Sequence, residues 1–485
     1  MDNLKEKAKA AFIWDFFGKI AKNGMGFIVS IFLARLLEPA EFGLIAMVMV
    51  LIGIAEIFTD IGLGAALIQR RRILPVHYNS VFYFNIFVAF ILTAITYFSA
   101  SSIANFYNNI ELIPLAEVMS FSFIIAAFSS LQSIKLRKEL NYRLLTKMNL
   151  ISALISGIVA ISLAFYGAGV WSLVVQNLLH GILYNILIWN VAHWKPSLQF
   201  SFKALFQLWG FGFRLFLTGL IDKVFTRLDY LIIGKLFDAT SLGFYQRAKS
   251  LNLFVIRYSS ESLMSILFPV LSKIKNNLPR FQQIVIRGFG VINFVTFLLL
   301  GGLYLISEEL IVLLFGDKWL PSVYIFKILV LSGFVIPIGA LLMNILMSRG
   351  KSKIILRMAM YKLFVSLLNF IVLYIWGINT FLYGLIIVGL WDLFLNILFA
   401  AREIKLSFMT FAKPFMMQAC IAILIVIVIN IMTENLNFTE IMMLMIKGST
   451  FTFMYIFINH LIKTSSYNYF LEQIIPIIRE RIKND

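Results

Sequence analysis

Charged residues are scarce in this sequence. Only 14% of the 485 residues are charged, whereas 60% are hydrophobic, and the mean hydropathy is +0.89. A soluble domain carries about 25% charged residues. This shortage excludes an ordinary soluble protein, because the chain could not hide so much apolar surface from water. A lipid bilayer accepts such a surface on every outward face.

Cysteine and histidine are also rare. The one cysteine, Cys420, lies in an apolar run and excludes a disulfide framework. The four histidines show no metal-ligand spacing; they are His77, His180, His193 and His460. Gly350-Lys351-Ser352 lacks the first glycine of a phosphate-binding loop, and no Ser/His/Asp set can be argued. We therefore expect no metal, no cofactor and no enzymatic activity.

The net charge of +18 could indicate a nucleic-acid partner, but its distribution argues against one. A nucleic-acid-binding protein concentrates its basic residues on one soluble face. Here lysine and arginine recur in short clusters between apolar segments, which is typical of cytoplasmic loops. We expect no nucleic acid.

Long apolar segments dominate the rest of the chain. A spanning helix needs about 20 largely apolar residues, and fourteen segments qualify, the first being read as a retained helix and not as a cleaved leader. They are 10–36, 42–68, 80–103, 113–134, 147–166, 169–191, 207–232, 242–268, 285–306, 322–347, 355–376, 380–400, 412–432 and 440–461.

The basic residues test this count. Alternate loops, starting from the N-terminus, hold 28 of the 42 lysines and arginines, and the seven intervening loops hold only Arg35, Lys235 and Lys318. Cytoplasmic loops are enriched in these residues. We therefore predict an even number of spans, with both termini cytoplasmic.

A faint internal repeat divides the chain. LARLLEPAEFGL (33–44) aligns without gaps with IGKLFDATSLGF (233–244), and each copy follows a charged helix. Six spans separate the copies, so they have the same orientation in the membrane. The predicted fold is all-α and polytopic, with two pseudo-symmetric six-helix lobes (1–195 and 196–405). Two further helices and a cytoplasmic tail occupy 406–485.

Eleven basic residues remain inside the predicted spans, each more than two residues from a span end. A charge that faces lipid at mid-membrane costs about 2.5–3.5 kcal/mol, so most of these side chains should meet water, a partner charge or the interface. Helical spacing places several of them on shared stripes of the first two helices of each lobe. This placement predicts a cationic, water-filled cavity between the lobes. The candidate lining residues are Lys19, Lys22, Lys223, Arg227, Arg247 and Arg257.

Acidic residues accompany these cations. They could bind a coupling proton or sodium ion, or they could neutralise the cations, and the sequence leaves both roles open. The residues are Asp15, Glu56, Asp60, Asp222, Asp229 and Glu261. Arg257 and Glu261 are spaced as an i,i+4 pair and could form a structural ion pair. Lys447, near a helix end, is expected to extend to the interface.

Three stretches resemble a known family. FLARLLEPAEFGLIAMVMVL, DIGLGAALIQRRR and LDYLIIGKLFDATSLGFYQRA are similar to the Wzx-type polysaccharide flippases of the MOP exporter superfamily, in particular the colanic-acid and teichuronic-acid exporter group. The resemblance implies a transporter of the bacterial cell membrane. It would flip undecaprenyl-diphosphate-linked oligosaccharide to the outer leaflet by alternating access, for O-antigen, capsule or exopolysaccharide synthesis. Lipid-linked oligosaccharide, membrane lipids, and the polymerase and glycosyltransferases of the same pathway are the implied partners.

Three alternatives remain. A lipid II flippase of the same superfamily shares the helix number and a basic cavity. A multidrug cation antiporter should be lined by carboxylates, whereas basic residues outnumber acids here. A membrane-embedded polysaccharide polymerase or ligase would need a large outer loop with catalytic residues, and the predicted outer loops are short.

Overall fold

The structure is a computed structural model. It describes the backbone of residues 2–70, 72–192, 194–436 and 438–472, and it describes the side chains of these residues except 2–13, 15–17, 19 and 254–269. Every regular element within these ranges is a helix, and eleven helical segments there are long and apolar enough to cross a membrane. The protein is therefore an all-α, multi-pass membrane protein.

By packing, the chain divides into two compact units, Met1–Gln246 and Arg247–Asp485. The first unit holds ten complete helices and the start of α11. They are α1 (Asp2–Leu36), α2 (Pro39–Ala55), α3 (Leu63–Gln69), α4 (Pro75–Phe98), α5 (Ala100–Tyr107), α6 (Leu112–Ser120), α7 (Ser122–Lys138), α8 (Tyr142–Phe165), α9 (Val170–Val191), α10 (Phe202–Leu236) and α11 (Ala239–Ile274).

The second unit holds the rest of α11 and seven further helices. These are α12 (Leu278–Leu305), α13 (Ser307–Phe315), α14 (Pro321–Gly333), α15 (Val335–Ser348), α16 (Ser352–Glu403), α17 (Met409–Thr433) and α18 (Glu440–Ile462). The packing division falls inside α11, because α10 packs against α2, α3 and α4 of the first unit. The lobes 1–195 and 196–405 are defined by the repeat and not by packing, and they stay a prediction.

Local sequence signals set many helix ends. Proline stands at the first turn of α2, α4 and α14, where its missing N–H is no loss. Asn141 and Asn277 cap α8 and α12, since their side-chain oxygens accept from Leu144 N at 3.4 Å and from Arg280 N at 3.2 Å. These caps satisfy N–H groups that have no intrahelical partner.

Each of the fourteen predicted segments overlaps a helix, but several are interrupted. The segment 42–68 comprises α2, a 3-10 turn (Glu56–Thr59) and α3, and the segment 322–347 comprises α14 and α15. The segments 355–376 and 380–400 both lie in α16, where Gly377 has a φ of 82°. Asn369 Nδ2 donates to Phe381 O at 3.2 Å, so the chain reverses direction at Gly377. The number of fourteen crossings stays a prediction.

The order of elements repeats within the chain. Helix α4 is followed by the short α5 and a left-handed Asn108, and α12 is followed by the short α13 and Gly316, which also has a positive φ. Likewise, α6 and α7 meet at Phe121, and α14 and α15 meet at Phe334. These matches extend the pseudo-symmetry well beyond the two short sequence motifs.

Candidate functional site

Helix α2 ends inside the membrane-spanning segment. Two acidic residues, Glu56 and Asp60, lie just after its end. The 3-10 turn begins at Glu56, and Ile61 and Gly62 follow with φ values of 44° and 71°. A Cβ at Gly62 would stand 2.2 Å from Gly212 O of α10, so only glycine allows this approach. Asp60 then accepts from Gly64 N at 2.9 and 3.1 Å, and its carboxylate caps α3.

Three basic side chains of the first unit are linked by electrostatic interactions. We call Lys22 of α1, Arg137 of α7 and His180 of α9 the basic cluster. The charge of Lys22 acts on His180, and the charge of Arg137 acts on Lys22 and on Asp60. Lys22 and Arg137 are exposed and His180 is half-buried, so a ligand can reach all three. Lys22 and Arg137 carry like charges, and like charges that act on each other favour a bound anion.

Tyr184 connects α9 to α7 next to the cluster. The ring of Tyr184 lies parallel to that of His180, with the ring centroids 6.5 Å apart. The Tyr184 hydroxyl is 3.0 Å from Ser133 Oγ, which lies one turn before Arg137 on α7. The sequence prediction included Lys22 but placed Arg137 in a loop, because the predicted segment ended at residue 134 and α7 continues to Lys138.

Two further candidate cations, Lys223 and Arg227, lie on α10 in the same unit, and both are half-buried. Lys223 Cε is 3.7 Å from the position that a Cβ at Gly53 would occupy, so the lysine stem runs along α2. The Arg227 guanidinium lies 5.6 Å from the centroid of the Tyr230 ring. Asp222, one residue before Lys223, is exposed.

Two other candidates are buried in contacts that hold helices together. Asp229 accepts from the Tyr245 hydroxyl at 2.5 Å, which joins α10 to the start of α11. The Arg247 guanidinium lies 5.2 Å from the Phe315 ring centroid and 5.5 Å from that of Trp319. Both side chains are more than 90% buried. These contacts favour structural roles over contact with substrate.

Four predicted site residues have no described side chain: Asp15, Lys19, Arg257 and Glu261. Their assignment as cavity-lining or charge-balancing groups lies outside the described residues and stays a prediction.

A cavity of about 180 Å³ lies between α2, α6, α7 and α9 of the first unit. Its wall is mostly apolar, and its polar groups are Glu56, Ser122, Ser129 and Asn177. Of these four, only Glu56 is among the residues predicted from the sequence. A signal was present, however: Ser122, Ser129, Ser133 and Arg137 are spaced by seven, four and four residues, which forms one stripe on an otherwise apolar helix.

The two copies of the sequence repeat contact each other. A Cβ at Gly43 would stand 1.7 Å from Ala239 O, and a Cβ at Gly243 would stand 1.9 Å from Pro39 O. Residues 39 and 43 of one copy correspond to residues 239 and 243 of the other, so the contact is reciprocal. It lies entirely within the first unit. Glycine at both positions lets the two backbones touch.

Comparisons with known proteins agree with this architecture. The chain is 27% identical over 425 residues to the teichuronic acid biosynthesis protein TuaB of Bacillus subtilis (strain 168). The alignment covers 83% of this chain and 85% of TuaB. It is 23% identical to the lipopolysaccharide biosynthesis protein WzxC of Escherichia coli (strain K12), and the alignment covers 75% of this chain and 74% of WzxC. The succinoglycan biosynthesis transport protein ExoT of Rhizobium meliloti (strain 1021) is 23% identical over 321 residues, and the alignment covers 66% of this chain and 65% of ExoT.

Two solved structures share the fold. The lipid II flippase MurJ in an inward closed conformation superimposes with a TM-score of 0.70 at 17% identity, over 93% of this chain and 99% of MurJ. An inward-facing MATE-family multidrug transporter of the MOP superfamily superimposes with a TM-score of 0.61 at 14% identity. The match covers 79% of this chain and 94% of the transporter. A family described as "Polysaccharide biosynthesis protein" matches residues 32–324. The chain belongs to this polysaccharide biosynthesis protein family.

Proposed function

We propose that the protein flips undecaprenyl-diphosphate-linked oligosaccharide from the cytoplasmic to the outer leaflet of the bacterial cell membrane, with both of its termini in the cytoplasm. Membership of the polysaccharide biosynthesis family and a fold shared with a lipid-linked-precursor flippase support this proposal. The relatives named for teichuronic acid, lipopolysaccharide and succinoglycan point to a cell-surface polysaccharide as the product.

The basic cluster is the observation that carries the proposal. The diphosphate is the anionic group that joins lipid to sugar in the proposed substrate, and lysine and arginine form charge-assisted hydrogen bonds with its oxygens. Lys22 interacts electrostatically with Arg137 and with His180, and the three residues come from three helices, which supports a shared anion site. Lys223 and Arg227 extend the same function along α10. A carboxylate-lined site for an exported cation would need the opposite charge balance.

The proposed transport is not enzymatic, and it works by alternating access. The reciprocal contact of Gly43 and Gly243 lies at the helix ends that the loop charges assign to the outer side. We propose that this contact closes the outer side while substrate enters from the cytoplasmic leaflet, and that it separates on release. A change between two discrete packings is the usual basis of such gating.

The proposal is tested by removing charge from the cluster. The Lys22→Gln and Arg137→Gln variants should each lower transport of lipid-linked oligosaccharide per folded molecule by about tenfold or more, because a charged hydrogen bond contributes about 1.5–3 kcal/mol. Arg137→Lys should retain part of the activity, since lysine keeps the charge but loses the planar fork. Lys353→Gln, at an exposed position in the first turn of α16, is the matched control.

Transport is measured in proteoliposomes as the fraction of lipid-linked oligosaccharide accessible from outside, and it is divided by the amount of folded protein. Normal flipping by both Gln variants would place the anion site elsewhere. Two results would favour the competing activities: faster transport of lipid II than of other lipid-linked sugars would indicate a lipid II flippase, and lengthened glycan chains would indicate a polymerase.

A further inference from the structure

The cavity between α2, α7 and α9 adjoins the basic cluster. On α9, Asn177 and Gly181 line the cavity, and His180 of the cluster lies between them within one helical turn, about 5 Å of rise. On α7, the stripe that ends at Arg137 begins at Ser122 and Ser129 of the cavity wall. A group covalently attached to an anion bound at His180 can therefore reach this cavity, whereas Arg137 lies about 12 Å of helix rise beyond Ser129.

The cavity lining has the mixed character of a site for a polar, uncharged ring. Most of its wall is apolar, and the polar groups are one carboxylate, one amide and two hydroxyls. Small-molecule sites combine apolar walls with a few placed polar groups in this way. Carboxylate and amide oxygens accept hydrogen bonds from ligand hydroxyls, and the amide and the serine hydroxyls can also donate.

One of these groups lacks a partner within the protein. Ser122 Oγ is buried at the cavity wall and has no hydrogen-bond partner among the described residues. Burying a hydroxyl without a partner costs about 1–3 kcal/mol, so a ligand hydroxyl that bonds to it recovers this cost. Asn177 Nδ2 donates to Leu173 O at 2.8 Å, which holds the amide in place.

We infer that this cavity is a saccharide subsite, which binds the sugar attached directly to the diphosphate of the lipid-linked substrate. The inference rests on the proposed function, since it needs the diphosphate in the basic cluster. The volume of about 180 Å³ is below the roughly 300–1,000 Å³ of pockets for drug-sized ligands. The cavity therefore takes one sugar ring and leaves the rest of the oligosaccharide outside.

Two other occupants fit the lining less well. A polyprenyl tail would leave Glu56 and the Ser122 hydroxyl buried against hydrocarbon, which is costly for both. A metal ion would need several ligands, and among the described residues no group of three His, Cys, Asp or Glu side chains is placed to hold one. A sugar satisfies the polar groups and also contacts the apolar wall.

A cysteine at the cavity wall tests the inference. In a Cys420→Ser background, Ser122→Cys is labelled with a maleimide in the presence of defined lipids. The probes are undecaprenol, undecaprenyl diphosphate, and undecaprenyl diphosphate carrying a single glucose, galactose or N-acetylglucosamine. At least one sugar-bearing probe should slow labelling by about fivefold relative to undecaprenyl diphosphate, the gain expected from one added hydrogen bond. Ser162→Cys, exposed on α8, should react at one rate with all probes.

A second variant tests the cavity while leaving Ser122 unchanged. In the otherwise native protein, Asn177→Leu should bind undecaprenyl diphosphate as tightly as the wild type, and it should lose the preference for the sugar-bearing probe. Lys22→Gln should weaken binding of both probes equally. Equal protection by all diphosphate lipids, or protection by undecaprenol, would overturn the saccharide subsite. Failure of undecaprenyl diphosphate to bind in a Lys22-dependent manner would instead overturn the proposed function, and the subsite with it.

Discussion

Gly43→Ala should separate the two copies of the repeat. Its Cβ would stand 1.7 Å from Ala239 O, and ordinary contact begins at 3.4 Å, so the backbones must move apart by about 1.7 Å. The clash is with backbone and cannot be relieved by a side-chain rotation. Overpacking of this kind costs about 1–3 kcal/mol. If the cost falls only on the closed state, the equilibrium between closed and open states shifts by about 5- to 150-fold.

The shift can be measured by cross-linking equivalent positions in the two copies. Ala40→Cys and Thr240→Cys, in a Cys420→Ser background, should cross-link efficiently through a short bismaleimide when the contact is closed. Adding Gly43→Ala should lower the cross-linking yield and slow transport. Gly26→Ala is the matched control, because nothing lies within 4 Å of the added Cβ.

The reciprocal contact also predicts that the effects of Gly43→Ala and Gly243→Ala are not additive. Once Gly43→Ala has separated the backbones, Gly243→Ala meets little additional clash, so the double variant should be hardly worse than either single variant. Neighbouring sites that share one contact are non-additive in this way. Full additivity, or a Gly43→Ala variant that cross-links and transports like Gly26→Ala, would refute the reasoning.

Two other predictions follow from the structure and the loop charges. Lys447→Met should destabilise the protein in detergent by about 3 kcal/mol, measured by thermal unfolding, because it leaves the buried Glu309 carboxylate without its cation. Adding Glu309→Gln should recover most of this loss, and no recovery would show that the ion pair is not the cause. A reporter active only outside the cytoplasm should be silent when fused after Lys353 and active after Asp317, and an inversion of both results would contradict the predicted topology.

Helix positions were predictable from sequence because lipid imposes a simple condition. A span must be about 20 residues long and largely apolar, and each segment that met this condition overlaps a helix. The interruptions were not predictable, because an apolar run reads the same whether or not the helix continues. The break after Ala55 depends on Asp60 capping α3 and on the close approach of Gly62 to α10. The first is a local contact that hydropathy does not register, and the second is made with a helix about 150 residues further along the chain.

The candidate site was only partly predictable for a similar reason. Intramembrane charge identified Lys22 and Lys223, but charge alone does not distinguish a ligand-binding group from a packed one. Arg247 lies against two aromatic rings, and Lys447 pairs with Glu309 and does not extend to the interface as expected. Arg137 escaped notice because residues near the end of a span were assigned to a loop.

The sequence by itself determined that this chain is a polytopic helical membrane protein with an internal repeat, since hydropathy, loop charge and a short motif are written along the chain. Only the tertiary structure decided which charges meet. It linked Lys22, Arg137 and His180 from three helices and placed a mostly apolar cavity with four polar groups beside His180. It also set Gly43 against the second copy of the repeat. Such proximity depends on how helices pack, and residues far apart in sequence carry no local signal of it.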